Sequence, residues 1–287
     1  MSYNIGSPSP IQPLSLGNVV NAGLRLYRSH LKDYFLLALK AYVWLLVPFY
    51  GWAKFYALSA LISRLAFGEL VNQPESISSG QRFVNSRLWQ FFITILLMFL
   101  LGIGIVVAVV ILIVFYSFLS VVLVGGIGQL GNFNTSVLYA LFVLLNIVVS
   151  LVVLVAILWL LTRFFLVDAL LVIEDNVDGT STIARSWELT QGYVWRVLLI
   201  SLVAFLITIP IQIFVQILIT IIQLLFAPLI EQNSPVFSLI YLLLILALSF
   251  ASGAVVLPFW QAIKAVVYYD LRSRREGLGL RLRDHDI

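Results

Sequence analysis

The chain has 287 residues, 62% hydrophobic and only 10% charged, with a formal charge of +4 and a mean hydropathy of +1.06. A soluble domain carries about 25% charged residues, so too few polar groups are present to cover a water-facing surface. The chain has no cysteine, which excludes disulfides, thiol catalysis and cysteine-ligated metals. Several apolar runs exceed the ~20 residues that cross a bilayer as a helix, and none alternates with the period of a barrel strand. The composition therefore predicts an all-α integral membrane protein. Its positive charge reads as basic loops on the cytoplasmic side, not as nucleic-acid binding.

The opening MSYNIGSPSPIQPLSLG has neither the charged n-region nor the apolar h-region of a signal peptide, and its Pro, Ser and Gly predict a disordered tail over 1–14. Ser15 is placed to cap a helix. In that helix Leu16, Val20, Leu24, Tyr27, Leu31 and Phe35 share one face, while Asn18, Asn21, Arg25, Arg28 and Lys32 recur on another. Such a helix can lie in the membrane interface, with Arg25, Arg28 and Lys32 toward anionic lipid headgroups. It can equally be a plain anchor that orients the segment after it.

Five apolar stretches follow, over 34–67, 88–124, 137–173, 194–230 and 236–269. The first is interrupted by VPFYG (47–51), which makes it either one kinked helix or a short hairpin. The hairpin gives about six membrane segments and a clean positive-inside pattern. Arg25, Arg28, Lys32, Arg64, Arg82, Arg87, Arg185, Arg196, Lys264, Arg272, Arg274, Arg275, Arg281 and Arg283 then share one side. The opposite loops, around 126–136 and 228–235, carry only Glu231. Both termini are then cytoplasmic, and each half of the first hairpin is short enough to be re-entrant.

The stretches starting HLKDYF, SRLWQF and GYVWRV each pass from a polar lead-in through Asp33, Trp89 or Trp195 to a helix-weakening Pro48, Gly104 or Pro210. This predicts repeats over about 15–70, 76–174 and 180–271, each an amphipathic helix followed by a membrane hairpin. They make up a membrane domain over 15–271, with a basic cytoplasmic tail at 272–287. Residues 179–194 form the third amphipathic segment, with Ile183, Trp187, Thr190 and Val194 roughly on one face.

The run RFFLVDALLVIEDNVDGTSTIARSWELTQGYVWRVL (163–198) resembles the membrane domain of the glycerophosphoryl diester phosphodiesterase membrane-domain family and its stand-alone bacterial relatives. The matching residues include Arg163, Glu174, Arg185, Ser186, Trp187, Thr190, Gly192, Trp195 and Arg196. LSLGNVVNAGLRLYRSHLKDYF near the start and VVYYDLRSRREGLGL near the end extend the likeness. The resemblance implies a multi-helix domain of a bacterial cytoplasmic membrane, and no activity. The family's catalytic domain needs a His-Arg-Gly start, whereas here His30 precedes Leu31 and His285 precedes Asp286.

Polar residues inside apolar runs are the remaining candidates. Thr208, Gln212, Gln216, Thr220 and Gln223 fall on one helix face and fit either a polar pathway or interhelical hydrogen bonding. Arg163, Asp168, Glu174 and Asp270 suit structural ion pairs, with Arg163 either pairing with Glu174 or Asp270 or snorkelling to the interface. Arg272, Arg274 and Arg275 fit a positive-inside anchor or an anionic-lipid or protein docking site. No phosphate-binding glycine loop, metal cluster or catalytic triad is present, and no cofactor is implied. The sequence thus points to a non-enzymatic scaffold or accessory factor for a membrane complex or lipid organisation. Its partners would be the bilayer, anionic lipids and a membrane protein. The alternative is a transporter or lipid-handling protein using the Thr208–Gln223 stripe.

Overall fold

The computed structural model describes residues 14–130, 135–230 and 234–277. Outside them lie the tail before Leu14, residues 131–134, residues 231–233 with Glu231, and the C-terminal tail beyond Gly277 with Arg281 and Arg283. Every regular element among the described residues is an α-helix. They are α1 (Leu16–Ser29), α2 (Leu31–Trp44), α3 (Tyr50–Leu70), α4 (Ile77–Ser86), α5 (Leu88–Leu130), α6 (Thr135–Arg163), α7 (Val167–Ile173), α8 (Ser181–Thr190), α9 (Val194–Ile230) and α10 (Pro235–Glu276). Four stretches are long and apolar enough to cross a membrane: Leu88–Leu123, Tyr139–Ile173, Val194–Ile230 and Pro235–Glu276.

The chain forms two compact units. The smaller, Ile95–Thr162, holds most of α5 and α6. Large apolar side chains such as Phe99, Ile111, Phe118, Leu144 and Val152 are exposed on it, as suits a surface facing lipid. Its polar groups turn back on their own helix, where Asn146 donates to the Phe142 carbonyl at 2.8 Å and Ser120 to that of Ser117 at 2.8 Å. The helix α5 continues to Leu130, through Gly125 and Gly126, where the sequence suggested a loop. Helix is the cheaper state there, because it satisfies every backbone group without water.

The larger unit comprises Met1–Thr94 and Arg163–Ile287. Helix α10 is its axis, with α1, α2, α3 and α9 packed on it. One apolar cluster joins Val20 of α1, Leu170 of α7, Leu189 of α8, Ile200 of α9 and Ile263 of α10. A second joins Leu37 of α2, Leu61 of α3, Val84 of α4, Phe91 of α5 and Val172 of α7. Gly23 lets α1 approach closely, since a Cβ there would lie 2.5 Å from Ile263 Cδ1.

The axis changes character along its length. Val236, Leu239, Leu242 and Leu243 are exposed, whereas from Ala254 onward α10 is mostly buried and carries Lys264, Asp270, Arg272 and Arg274. Helix α9 begins with buried Val197, Ile200 and Ala204 and continues with exposed Ile213, Phe214, Ile217 and Leu224. At about 1.5 Å per residue both are roughly twice the ~30 Å hydrocarbon thickness. The exposed apolar half of each suits lipid, and the other half belongs to a packed, charged layer.

Residues 34–67 form two helices that pack on each other, α2 and α3. Phe49 makes the turn at φ 58° and ψ −75°, a backbone state that costs a bulky residue about 1–3 kcal/mol. Gly51 closes it, for a Cβ there would fall 2.0 Å from the Trp44 carbonyl oxygen. The 14 residues of α2 reach only ~21 Å, short of the hydrocarbon core. Residues 137–173 also break, at a turn over 164–166, so Arg163 ends α6 and Asp168 lies in α7. Ser186 Oγ donates to the Arg163 carbonyl at 2.7 Å and takes it out of the helical ladder.

Gly51→Ala should destabilise the protein by about 1–3 kcal/mol through overpacking. The check is thermal unfolding in detergent, where Gly17→Ala, with open space around it in α1, serves as a control that should not destabilise.

Candidate functional site

Short helices present a backbone problem that arginines solve here. The seven residues of α7 leave most of its carbonyls without an intrahelical donor. Arg87, at the end of α4, donates to the carbonyls of Leu171 at 2.9 Å, Glu174 at 3.1 Å, Asp175 at 3.3 Å, and Val177. Arg64 of α3 donates to the Val172 carbonyl at 2.8 Å and pairs with Glu75 at 2.6 Å. Burial lowers the Arg87 guanidinium below its ordinary pKa, with neighbouring Arg64 adding to the shift and Asp175 and Asp178 opposing it.

The end of α8 is held in the same way. Arg163 donates to the Trp187 carbonyl at 3.1 Å, its guanidinium 4.6 Å from the Trp187 ring centroid. Arg275 donates to the carbonyls of Glu188 and, at 3.0 Å, Gln191. Ahead of α8, Asp178 accepts from Ser181 N at 2.7 Å, Thr180 Oγ1 at 2.8 Å and Thr180 N at 3.0 Å. These bonds, the Ser181 backbone one foremost, hold its carboxyl well below the usual carboxylate range.

Three carboxylates then tie helices together. Asp168 accepts from Lys264 Nζ at 2.5 Å and Gln261 at 2.9 Å, and Ser63 Oγ donates to Gln261 Oε1 at 2.6 Å. Glu174 pairs with Arg185 at 3.4 Å and accepts from Tyr268 Oη at 2.9 Å. Asp270 pairs with Arg196 at 3.0 Å and Arg274 at 3.1 Å, and accepts from Leu14 N at 3.2 Å. Arg185 also meets Glu188 at 3.2 Å and Glu276. Burial pulls the Arg185 guanidinium down, but Glu276, Glu174 and Glu188 outweigh that and raise its pKa.

The carboxylates singled out for ion pairs are therefore held by other basic residues. Glu174 and Asp270, offered as partners for Arg163, are held by Arg185 and by Arg196 with Arg274, and Arg163 turns to Trp187. In the 163–198 signature, Ser186 and Thr190 are buried, and Thr190 Oγ1 donates to the Ser186 carbonyl at 2.8 Å. Gly192 turns the chain into α9 at φ 81°, a conformation that favours glycine. Trp187 and Trp195 are exposed.

Arg272, Arg274 and Arg275, read also as lipid contacts, bond within the protein: Arg272 with Glu276 at 3.0 Å, Arg274 with Asp270, Arg275 with the end of α8. Arg25, Arg28 and Lys32 are exposed. The structural parts played by Tyr268, Gln261, Arg64 and Arg87 were not foreseen. One signal was available: Gln261, Lys264, Tyr268, Arg272 and Glu276 recur at spacings of three and four on α10.

The polar stripe on α9 divides. Thr208 is buried and donates to the Phe205 carbonyl at 2.8 Å, and the Gln212 amide donates to Thr208 Oγ1 at 3.3 Å. Gln212 also lines a cavity of about 410 Å³ together with Tyr42, Ser249, Ser252 and Trp260. Gln216, Thr220 and Gln223 are exposed, with Thr220 donating to the Gln216 carbonyl at 2.9 Å. The cavity offers neutral donors and acceptors at the point where α10 passes from exposed apolar to buried. Among the described residues no group of three or more His, Asp or Glu side chains is placed to hold a metal ion.

Lys264→Met should cost about 3–5 kcal/mol, because it leaves the buried Asp168 carboxylate without its cation. Thermal unfolding in detergent measures this directly.

Residues 75–271 match the family described as a domain of unknown function, DUF7847. No curated protein and no solved structure matches the chain. The matched range covers more than half of the 287 residues and takes in α4 to α10, with the carboxylate ties of Asp168, Glu174 and Asp270, so the chain belongs to the DUF7847 family.

Proposed function

We propose that this protein is a non-enzymatic, multi-pass membrane protein that serves as a scaffold or accessory factor for a membrane complex or for lipid organisation. The observation that carries this reading is how the ionisable groups are distributed. Asp168, Glu174 and Asp270 are engaged by basic side chains and hold helices together. The cations of Arg25, Arg28 and Lys32 remain exposed on α1 and α2. An exposed basic stripe beside apolar membrane helices suits anionic headgroups or an acidic partner surface.

In this reading the helices form three hairpins, α2–α3, α5–α6 and α9–α10, each preceded by the amphipathic α1, α4 or α8. The 14 residues of α2 support a first hairpin that is only partly inserted, its turn at the level of the headgroups, with the other two crossing. Both termini then share the basic, cytoplasmic side. The resemblance of 163–198 to the glycerophosphoryl diester phosphodiesterase membrane-domain family supports the same assignment and a bacterial cytoplasmic membrane. A second reading, transport or lipid handling, is favoured by the cavity of about 410 Å³ beside Gln212.

Extraction of the intact protein in native nanodiscs, with mass spectrometry of what co-purifies, tests the two. The scaffold reading expects a stoichiometric protein partner or an enriched anionic lipid, depleted in the combined Arg25→Gln, Arg28→Gln and Lys32→Gln variant. A small solute that co-purifies instead and is lost in Gln212→Leu would replace it with transport.

A further inference from the structure

Lys54 stands outside the network of ties. Its ammonium donates to Asn85 Oδ1 at 2.6 Å and lies 5.7 Å and 5.9 Å from the ring centroids of Trp44 and Tyr50. Among the described residues no carboxylate pairs with it. An amide oxygen and two ring faces leave the charge of a half-buried ammonium largely uncompensated.

An apolar groove opens beside it. Phe49, Tyr50, Ala53, Leu88, Trp89 and Phe92 line a volume of about 370 Å³. This falls within the ~300–1,000 Å³ typical of ligand pockets. Phe49 and Trp89 are 65% and 70% exposed, so large rings border the groove uncovered. The strained backbone at Phe49 holds one of them there, and strain of this kind clusters where a ligand is clamped.

Tyr42, near the end of α2, marks the level of the α2–α3 turn against α10. Its ring lies 5.5 Å from that of Phe250, and a Cβ on Gly253 would fall 2.3 Å from Tyr42 Oη. At that point α10 passes from its exposed apolar half to its buried, charged half. The turn of the α2–α3 pair therefore lies where headgroups meet hydrocarbon, the level that Trp and Tyr prefer.

We infer that Lys54 and this groove bind one anionic phospholipid. The phosphate sits at the Lys54 ammonium, where the Asn85 NH₂ is free to donate because its oxygen already accepts from Lys54. An acyl chain lies along the groove. The uncompensated charge selects an anionic head, and the apolar walls select the tail. The site is separate from the Arg25, Arg28 and Lys32 stripe and holds whether or not the protein is a scaffold.

The test titrates the full chain in mild detergent with phosphatidylglycerol or phosphatidylcholine of identical chains and counts lipid adducts by native mass spectrometry. One saturable phosphatidylglycerol adduct is expected. Lys54→Gln should weaken it about tenfold, the loss of one charge-assisted contact. Lys54→Arg should retain it, Trp89→Ala should weaken it, and the combined Arg25→Gln, Arg28→Gln and Lys32→Gln variant should leave it unchanged. Equal binding of both lipids, or an unchanged adduct in a Lys54→Gln variant of unaltered melting temperature, would overturn the site. Displacement of the adduct by inorganic phosphate alone would overturn the role of the groove.

Discussion

The larger unit depends on one constraint: the ends of its short helices must be satisfied where little water reaches them. A helix of seven residues such as α7 cannot satisfy its own carbonyls. Arg64 of α3 and Arg87 at the end of α4 reach in to bond five carbonyls between Leu171 and Val177, and Arg163 and Arg275 do the same for the end of α8. A guanidinium suits this task because its five donors fan out in a plane and it stays charged when buried. Removing Arg87 leaves four acceptors bare together, which couples helices far apart in sequence.

Bilayer thickness adds the second constraint. Helices of 37 and 42 residues are too long to lie wholly in lipid, so α9 and α10 serve two solvents. Their exposed halves need only be apolar. Their other halves carry the charged ties: Asp168 and Glu174 fasten α7 to α10, and Asp270 fastens α9 to α10. The chemistry that looks most like a site in the sequence is consequently the joinery of the fold. The features left open to outside molecules lie elsewhere: the exposed stripe on α1 and α2, the cavity at Gln212, and the groove beside Lys54.

The helical class was legible because 62% hydrophobic content with long unbroken runs has few other solutions. Ser15 was legible as a cap, and it does accept from Asn18 N at 3.2 Å. The break in 34–67 was visible in Pro48 and Gly51, but its form was not, because the decisive contact is between Gly51 and the Trp44 carbonyl. The turn at 164–166 left no Gly or Pro, since it is set by Ser186 from α8. Partners of buried charges were hidden for a related reason: Asp168 and Lys264 are 96 residues apart, and only the packing of α7 on α10 joins them. The groove beside Lys54 was hidden in the same way, because it arises from the α2–α3 turn and α3 meeting the start of α5.

The most direct test of this account is hydrogen–deuterium exchange over residues 167–190 in wild type and Arg87→Gln. Amides of α7 and the following turn should exchange at least about tenfold faster in the variant, since charge-assisted bonds to several carbonyls are lost together. Unchanged protection there, in a variant that remains folded, would mean that the arginines decorate the short helices and do not hold them.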